Sequence, residues 1–214
     1  MNQLQETETT DHIASDGQRA KAVQTRRALL AAAEQCLAED GFAALSTRRV
    51  AERAEVPLSQ IHYHFGSKQG LLLALYEHLN LGLLERQRAM FATELPLSQQ
   101  WDLACDYLDR DIASGFVRVL NELTAAGWSN PEIAEAVRRN MRGWLELLTE
   151  VAEREQARLG GLGPFTAPGL AQLVGSLFMG VEAKLLLGVE DAATILQSLR
   201  AIGVVIKRME DNQN

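Results

Sequence analysis

Apolar residues recur along this chain at spacings of three and four, and no stretch shows the strict alternation of a half-buried strand. The first such pattern runs from about Gln18 to Asp40, with Ala32, Ala33, Cys36 and Leu37 on one face. It stops at Gly41, which is placed for a left-handed cap. In the stretch LSTRRVAERA, Ser46 or Thr47 can cap a short helix whose inner face is Val50, Ala51 and Ala54. Glu55, Val56 and Pro57 make a tight connection, and the proline is tolerated in the first turn of a helix, where an N–H has no partner. The third helix, Leu58 to His64, turns Leu58, Ile61 and Phe65 inward. Phe65 and Gly66 end it, and Ser67 caps the helix that follows. Two short helices joined by a tight turn and supported by a longer one predict a helix-turn-helix.

The remaining chain reads as long helices with clear punctuation, so the expected fold class is all-α. Breaks fall near Pro96, at Ser114–Gly115 and at Gly160–Gly161. Asn130, Pro131 and Glu132 make a strong helix start, and Asp191 caps a final helix ending near Met209. The helix opened by Pro168 carries Leu170, Leu173, Val174, Leu177, Phe178, Val181 and Leu185 on one face, with little polar surface opposite. A helix apolar on all sides is buried on all sides. A partner subunit is the simplest cover, and burial within one large core is the alternative.

Composition agrees with helices: 47% of the 214 residues are apolar, with Leu and Ala far outnumbering β-branched and aromatic types. The net charge of −7 excludes a general nucleic-acid sponge, but its distribution is uneven. Residues 1–17 hold four acids and no Lys or Arg, and are expected to form a disordered acidic tail that includes a solvated His12. Residues 18–80 hold eight Lys or Arg against six acids, and residues 81–214 thirteen against eighteen. The modest positive charge thus coincides with the helix-turn-helix, a weak pointer to phosphate.

Catalytic and metal chemistry find no foothold. His62 and His64 are two apart on a helix and so point roughly 200° from each other, whereas helical metal pairs need a spacing of four. Cys36 and Cys105 each continue a helical apolar face and read as buried, inert thiols. No nucleophile–base pair or phosphate loop appears, so no enzyme, cofactor or metal is expected. The N-terminus lacks the apolar core of a signal peptide, and no run of about 18 apolar residues is seen, so no membrane span is expected and a cytoplasmic location is.

The outward face of the third helix suits a major groove. Ser59, Gln60 and Tyr63 point away from the core, with His62 and His64 on the flanks. Gln can pair bidentately with adenine, Ser can reach a base or phosphate, and Tyr can meet a thymine methyl or phosphate. Thr47, Arg48 and Arg49 open the preceding helix, whose N-terminal amides favour phosphate. Lys68 opposes its own helix dipole, which a nearby phosphate would explain, a solvated surface lysine being the alternative. Protonated His62 and His64 would tighten DNA binding as pH falls through about 6.5.

The stretch LSTRRVAERAEVPLSQIHYHFGSKQGLL resembles the DNA-binding domain of the TetR family of bacterial transcriptional regulators. The likeness is specific over residues 22–80, in the spacing of Thr47, Val50, Ala51, Ala54 and Val56 and then Ile61, His64, Phe65, Lys68 and Leu71. Three positions depart from it: Glu55 where glycine is common, Pro57 where a serine cap is common, and His62 where tyrosine is common. A left-handed turn at Glu55 would cost about 1–2 kcal/mol. The resemblance implies a helix-turn-helix domain over 18–66 and a larger helical ligand-binding and dimerisation domain over 67–214. It implies a homodimer, joined through the last two helices at Leu173, Leu177, Val181 and Leu199, bound to a palindromic double-stranded DNA operator. It also implies an inducer pocket among the middle helices, with Trp101, Phe116, Asn140, Met141, Trp144 and Phe178 as candidate walls and Cys105 and Leu120 on the same faces. Lys184 either snorkels, pairs with a carboxylate or meets an acidic ligand, and His78 reads as a packed histidine. The function expected is a ligand-responsive regulator, a repressor released by a small-molecule inducer. The alternative is a helical small-molecule-binding or adaptor protein with vestigial DNA contacts, against which the intact Arg48, Gln60, Tyr63 and Lys68 weigh.

Overall fold

The computed structural model describes residues 2–189 and 191–212, with side chains from Gly17 onward. The disordered tail expected over 1–17 therefore lies outside the residues described in full. All regular structure among the described residues is helical: α1 (Asn2–Ala44), α2 (Thr47–Arg53), α3 (Ser59–Phe65), α4 (Lys68–Phe91), α5 (Leu97–Ala113), α6 (Phe116–Ala126), α7 (Pro131–Leu159), α8 (Ala167–Leu187) and α9 (Ala192–Asp211). Two compact units result, Met1–Leu75 and Tyr76–Asn214. The division falls inside α4 rather than at residue 66, because its first two turns bury Leu71, Leu72 and Leu75 as part of the first unit.

In the first unit α1, α2 and α3 pack pairwise around Leu29, Ala33, Cys36, Leu37, Val50 and Ile61, each fully buried. Gly41 has φ 76° and breaks α1 where the sequence places its cap. Ser46 caps α2 by accepting the Arg49 N–H at 3.2 Å, and Ser67 accepts the Gly70 N–H at 3.0 Å. Glu55 alone among the described non-glycine residues has positive φ, 55°, as its place in the turn predicts. Leu58, expected to face inward, is exposed, since it precedes α3 and Ile61 takes the core position. Two ion pairs tie α2 to α1: Arg53 with Glu39, and Arg49 with Asp40 at 2.7 Å.

The second unit is a helical bundle in which α7 packs on α8, α5 on α9, and α6 on α5, α7 and α8. Its core joins Trp101, Cys105, Leu108, Val117, Val181, Ile195 and Leu199. The Trp101 indole donates to the Leu199 carbonyl at 2.9 Å, and α9 can come this close because position 203 is glycine: a Cβ there would lie 3.1 Å from the Trp101 ring. At the far end, buried Glu210 accepts from the Ser98 N–H and hydroxyl at 3.2 and 2.6 Å, closing α9 onto the start of α5. Val181 and Leu199, expected at a dimer interface, are buried inside this core. An all-round apolar α8 gave no phase by which to tell its inner from its outer face. His78, expected to be packed, is exposed. By length and composition α8 could cross a bilayer, which qualifies the sequence reading of no such segment; here it packs along α7 as a bundle helix.

Two substitutions test the first unit. Glu55→Gly should raise its stability, because relief of about 1–2 kcal/mol of left-handed strain exceeds the ~0.4–1 kcal/mol added by a freer unfolded chain. A Cβ at Gly70 would sit 2.0 Å from the Phe65 carbonyl oxygen, a backbone atom with no rotamer to escape into. Gly70→Ala should therefore cost at least the ~1–3 kcal/mol of core overpacking. Urea unfolding checks both, and an unchanged midpoint for either would contradict the described turn.

Candidate functional site

Helix α3 turns a polar face outward where the sequence predicts one. Ile61 is fully buried while Tyr63 on the opposite side is 74% exposed; Ser59 is exposed and Gln60 half-buried. The Tyr63 ring meets His64 edge-on, with centroids 4.8 Å apart, which limits its freedom on an otherwise open surface. Gln60 and Tyr63 share a cleft with Arg19, Lys21 and Thr25 of α1. These α1 cations were missed in the sequence, although they are the first basic residues after an acidic stretch.

At the start of α2, half-buried Thr47 and exposed Arg48 and Arg49 stand side by side. Arg48 meets only Glu52 one turn on, at 2.9 Å, an exposed pair worth about 0.3–0.5 kcal/mol and easily given up. Arg49 is instead held by Asp40 of α1, which makes part of its task structural.

The remaining cationic candidates differ from the sequence expectation. Lys68 donates to the Leu45 carbonyl at 2.5 Å and lies over the Phe42 ring at 5.7 Å. A cation at this helix start thus has a local role, clamping the α1–α2 connection, besides any phosphate. His62 Nδ1 lies 3.2 Å from the Gly66 carbonyl, which can only accept, so Nδ1 carries the proton and Nε2 remains for other partners. His64 is half-buried, its Nε2 has no hydrogen-bond partner, and burial together with the nearby Arg26 holds it below the ordinary histidine range. His64 is therefore corrected from a pH-responsive phosphate contact to a neutral packed ring.

The second unit encloses a cavity of about 140 Å³ between α4, α5, α6, α7 and α8. Trp101, Phe116, Asn140, Met141, Trp144 and Phe178 all line it, as does Leu120. Cys105 does not; it is wholly buried in the core, which pushes its thiol up to about 11, and Cys36 is likewise buried and raised. Trp101 and Phe178 meet edge-on at 5.5 Å, and the Trp144 indole donates to Gln87 Oε1 at 2.7 Å. Lys184 is exposed and outside the lining.

Apart from Asn140, the polar part of the lining was not found in the sequence. Arg86 forks onto both oxygens of Asp111 and stacks on Tyr107 at 4.6 Å. Asn121 Nδ2 donates to Glu182 at 3.1 Å, and burial holds that carboxyl above the ordinary carboxylate range. Asn140 Nδ2 is buried without a partner. One clue was available: Glu182 follows Phe178 by four residues on an otherwise apolar helix and so shares its face. Among the described residues no group of three or more His, Cys, Asp or Glu could hold a metal ion.

A helix-turn-helix with an open polar face on its second helix is the arrangement by which many regulators dock in the major groove. Residues 29–75 match the sequence model for bacterial regulatory proteins of the tetR family. The HTH-type transcriptional regulator CymR of Pseudomonas putida is 31% identical over 126 residues, a match spanning 56% of this chain and 60% of CymR. The regulator UidR of Escherichia coli K12 is 24% identical over 198 residues, covering 87% of this chain and 95% of UidR. The solved transcriptional regulator FadR of Bacillus subtilis, in complex with stearoyl-CoA, shares the fold at TM-score 0.70 and 16% identity, over 83% of this chain and 97% of FadR. Residues 29–75 thus carry the tetR-family regulatory sequence, and the chain shares the fold of solved transcriptional regulators.

The His64 environment sets a pH dependence. Its folded value lies below its unfolded one, so the fold favours the neutral ring and the unfolded chain takes up the proton first. The stability it contributes is present above about pH 6.5 and is lost as pH falls through that value. His64→Gln should flatten the stability–pH slope between about 7 and 5. An equally steep slope in the variant would show that His64 is solvated in the folded chain.

Proposed function

We propose that this regulator is a cytoplasmic repressor that binds a palindromic operator as a homodimer and is released when a small molecule occupies the cavity. The observation that carries this reading is the internal cavity, hollow and mixed in character, in a chain whose other unit presents a DNA-reading face. A dry apolar void of about 150 Å³ holds a benzene-sized guest, and this one adds polar groups that fix orientation. Structural likeness to FadR supports the reading, since that protein carries stearoyl-CoA within the same fold. Release follows if the ligand prefers a conformation that binds DNA poorly.

On DNA, Gln60 and Tyr63 read base edges, Arg48 adds a base or phosphate contact, and Thr47, Ser59, His62 and Lys68 hold the backbone. The dimer forms through outward apolar residues of α8 and α9. Leu173 and Leu177 stay in the interface, 53% and 36% exposed, and Met179, Val204, Val205 and Met209, all exposed, replace Val181 and Leu199. A run of exposed apolar side chains on two adjacent helices marks an association surface.

Two experiments test this. Gln60→Ala should cost on the order of 1–3 kcal/mol on genomic fragments selected for binding and relax preference at one base position per half-site, while Lys68→Ala weakens all sequences alike and lowers the salt slope by about one. Equal loss of sequence preference in both variants would show the faces to be misassigned. Separately, Leu173→Glu with Leu177→Glu should give a folded monomer by equilibrium sedimentation and abolish operator binding; an intact dimer would place the interface elsewhere.

A further inference from the structure

We propose that the cavity takes ligands bearing a positively charged nitrogen, an amine or quaternary ammonium on a compact apolar body, and that Glu182 is the group that recognises the charge. The proposal rests on the reading of the cavity as the effector site and adds the chemistry of its ligand.

The charge inventory of the lining leads here. The titratable groups facing the cavity are Tyr76 and Arg86 on α4, Tyr107 and Asp111 on α5, and Glu182 on α8; α6 and α7 contribute none. Arg86 is largely committed, since two of its nitrogens hold both Asp111 oxygens and its plane lies over Tyr107, although its buried Nε has no partner. Drawing it onto an anionic ligand would leave Asp111 half-buried and unpaired. Glu182 has no such partner: Asn121 donates to one of its oxygens, and no Lys, Arg or His pairs with it among the described residues. The lining therefore carries one uncompensated acid.

Each ligand class meets that acid differently. An anion meets a neutral Arg86–Asp111 pair and is repelled by ionised Glu182. A neutral apolar body covers Glu182 without compensating it, which costs desolvation. A cation pairs with it, and the aromatic walls favour the same charge, because ring faces attract cations. Trp101 and Phe178 are already in edge-on contact at 5.5 Å, with Phe178 one turn before Glu182 on α8. Burial, and to a lesser degree Asp111, holds Glu182 above the ordinary carboxylate range. A bound cation favours the ionised carboxylate, so affinity falls as pH is lowered through the raised Glu182 value.

The test uses the full chain with benzyltrimethylammonium, its uncharged carbon isostere neopentylbenzene, and phenylacetate, followed by tryptophan quenching and calorimetry. The cation should bind about tenfold or more tighter than the isostere, with phenylacetate weakest. Glu182→Gln keeps the side-chain shape and an acceptor for Asn121, so it should remain folded by circular dichroism. It should bind the isostere at least as tightly as before, and lose both the preference for the cation and the pH dependence; Glu182→Asp should retain part of each. Equal affinities for cation and isostere, or an undiminished preference in Glu182→Gln, would overturn the charge assignment alone. Failure of both the cation and the isostere to bind would overturn the effector site as well.

Discussion

The indole of Trp101 joins two tasks in the second unit. Its N–H holds the Leu199 carbonyl and so locks α9 onto α5, in a space that only glycine at 203 leaves open. The same ring touches Phe178 and walls the cavity. Core and cavity therefore share an atom set. A guest that moves Trp101 or Phe178 cannot do so without repacking α8 and α9, because close-packed interiors shift between discrete arrangements instead of deforming smoothly. The outer faces of those two helices carry the exposed Leu173, Leu177, Val204 and Val205. A guest in the cavity would thus press on the two helices that carry the proposed dimer surface.

The first unit answers a different constraint, that of binding DNA without binding all DNA. Its positive charge is small, and two of its arginines are committed internally, Arg49 to Asp40 and Arg53 to Glu39. Lys68 is likewise partly committed, to the Leu45 carbonyl. The exposed cations left besides these are Arg26, Arg27 and Arg48, with Arg19 and Lys21 along the cleft beside Gln60 and Tyr63. A reading head this sparing in cations gains little from the salt-dependent, sequence-blind term, so its discrimination falls on base contacts.

Features governed by neighbours a few residues apart were legible in the sequence. Ser46, Ser67, Asn130 and Asp191 cap the helices where spacing rules put them, and Glu55 adopts the left-handed turn its position demands. The six cavity residues were also legible, because amphipathic helices show which side faces in. The failures share another cause. On α8, apolar on every side, periodicity carries no phase, so Val181 was placed outward when it belongs to the core, and Leu199 of α9 was misplaced with it. Lys68 finds its acceptor 23 residues away, and Arg86 and Asp111 pair across 25, distances over which sequence pattern is silent. Glu182 was hidden for the opposite reason: one acid in an apolar helix looks like a surface residue until the bundle closes over it.

The account stands or falls on linkage between cavity and DNA. The direct measurement is fluorescence anisotropy of the full chain on genomic DNA fragments selected for binding, titrated with benzyltrimethylammonium while tryptophan quenching reports occupancy in the same samples. DNA affinity should fall in step with occupancy, and DNA should weaken the ligand by the same factor, as reciprocal coupling requires. A cavity that fills while DNA affinity stays unchanged would contradict the account.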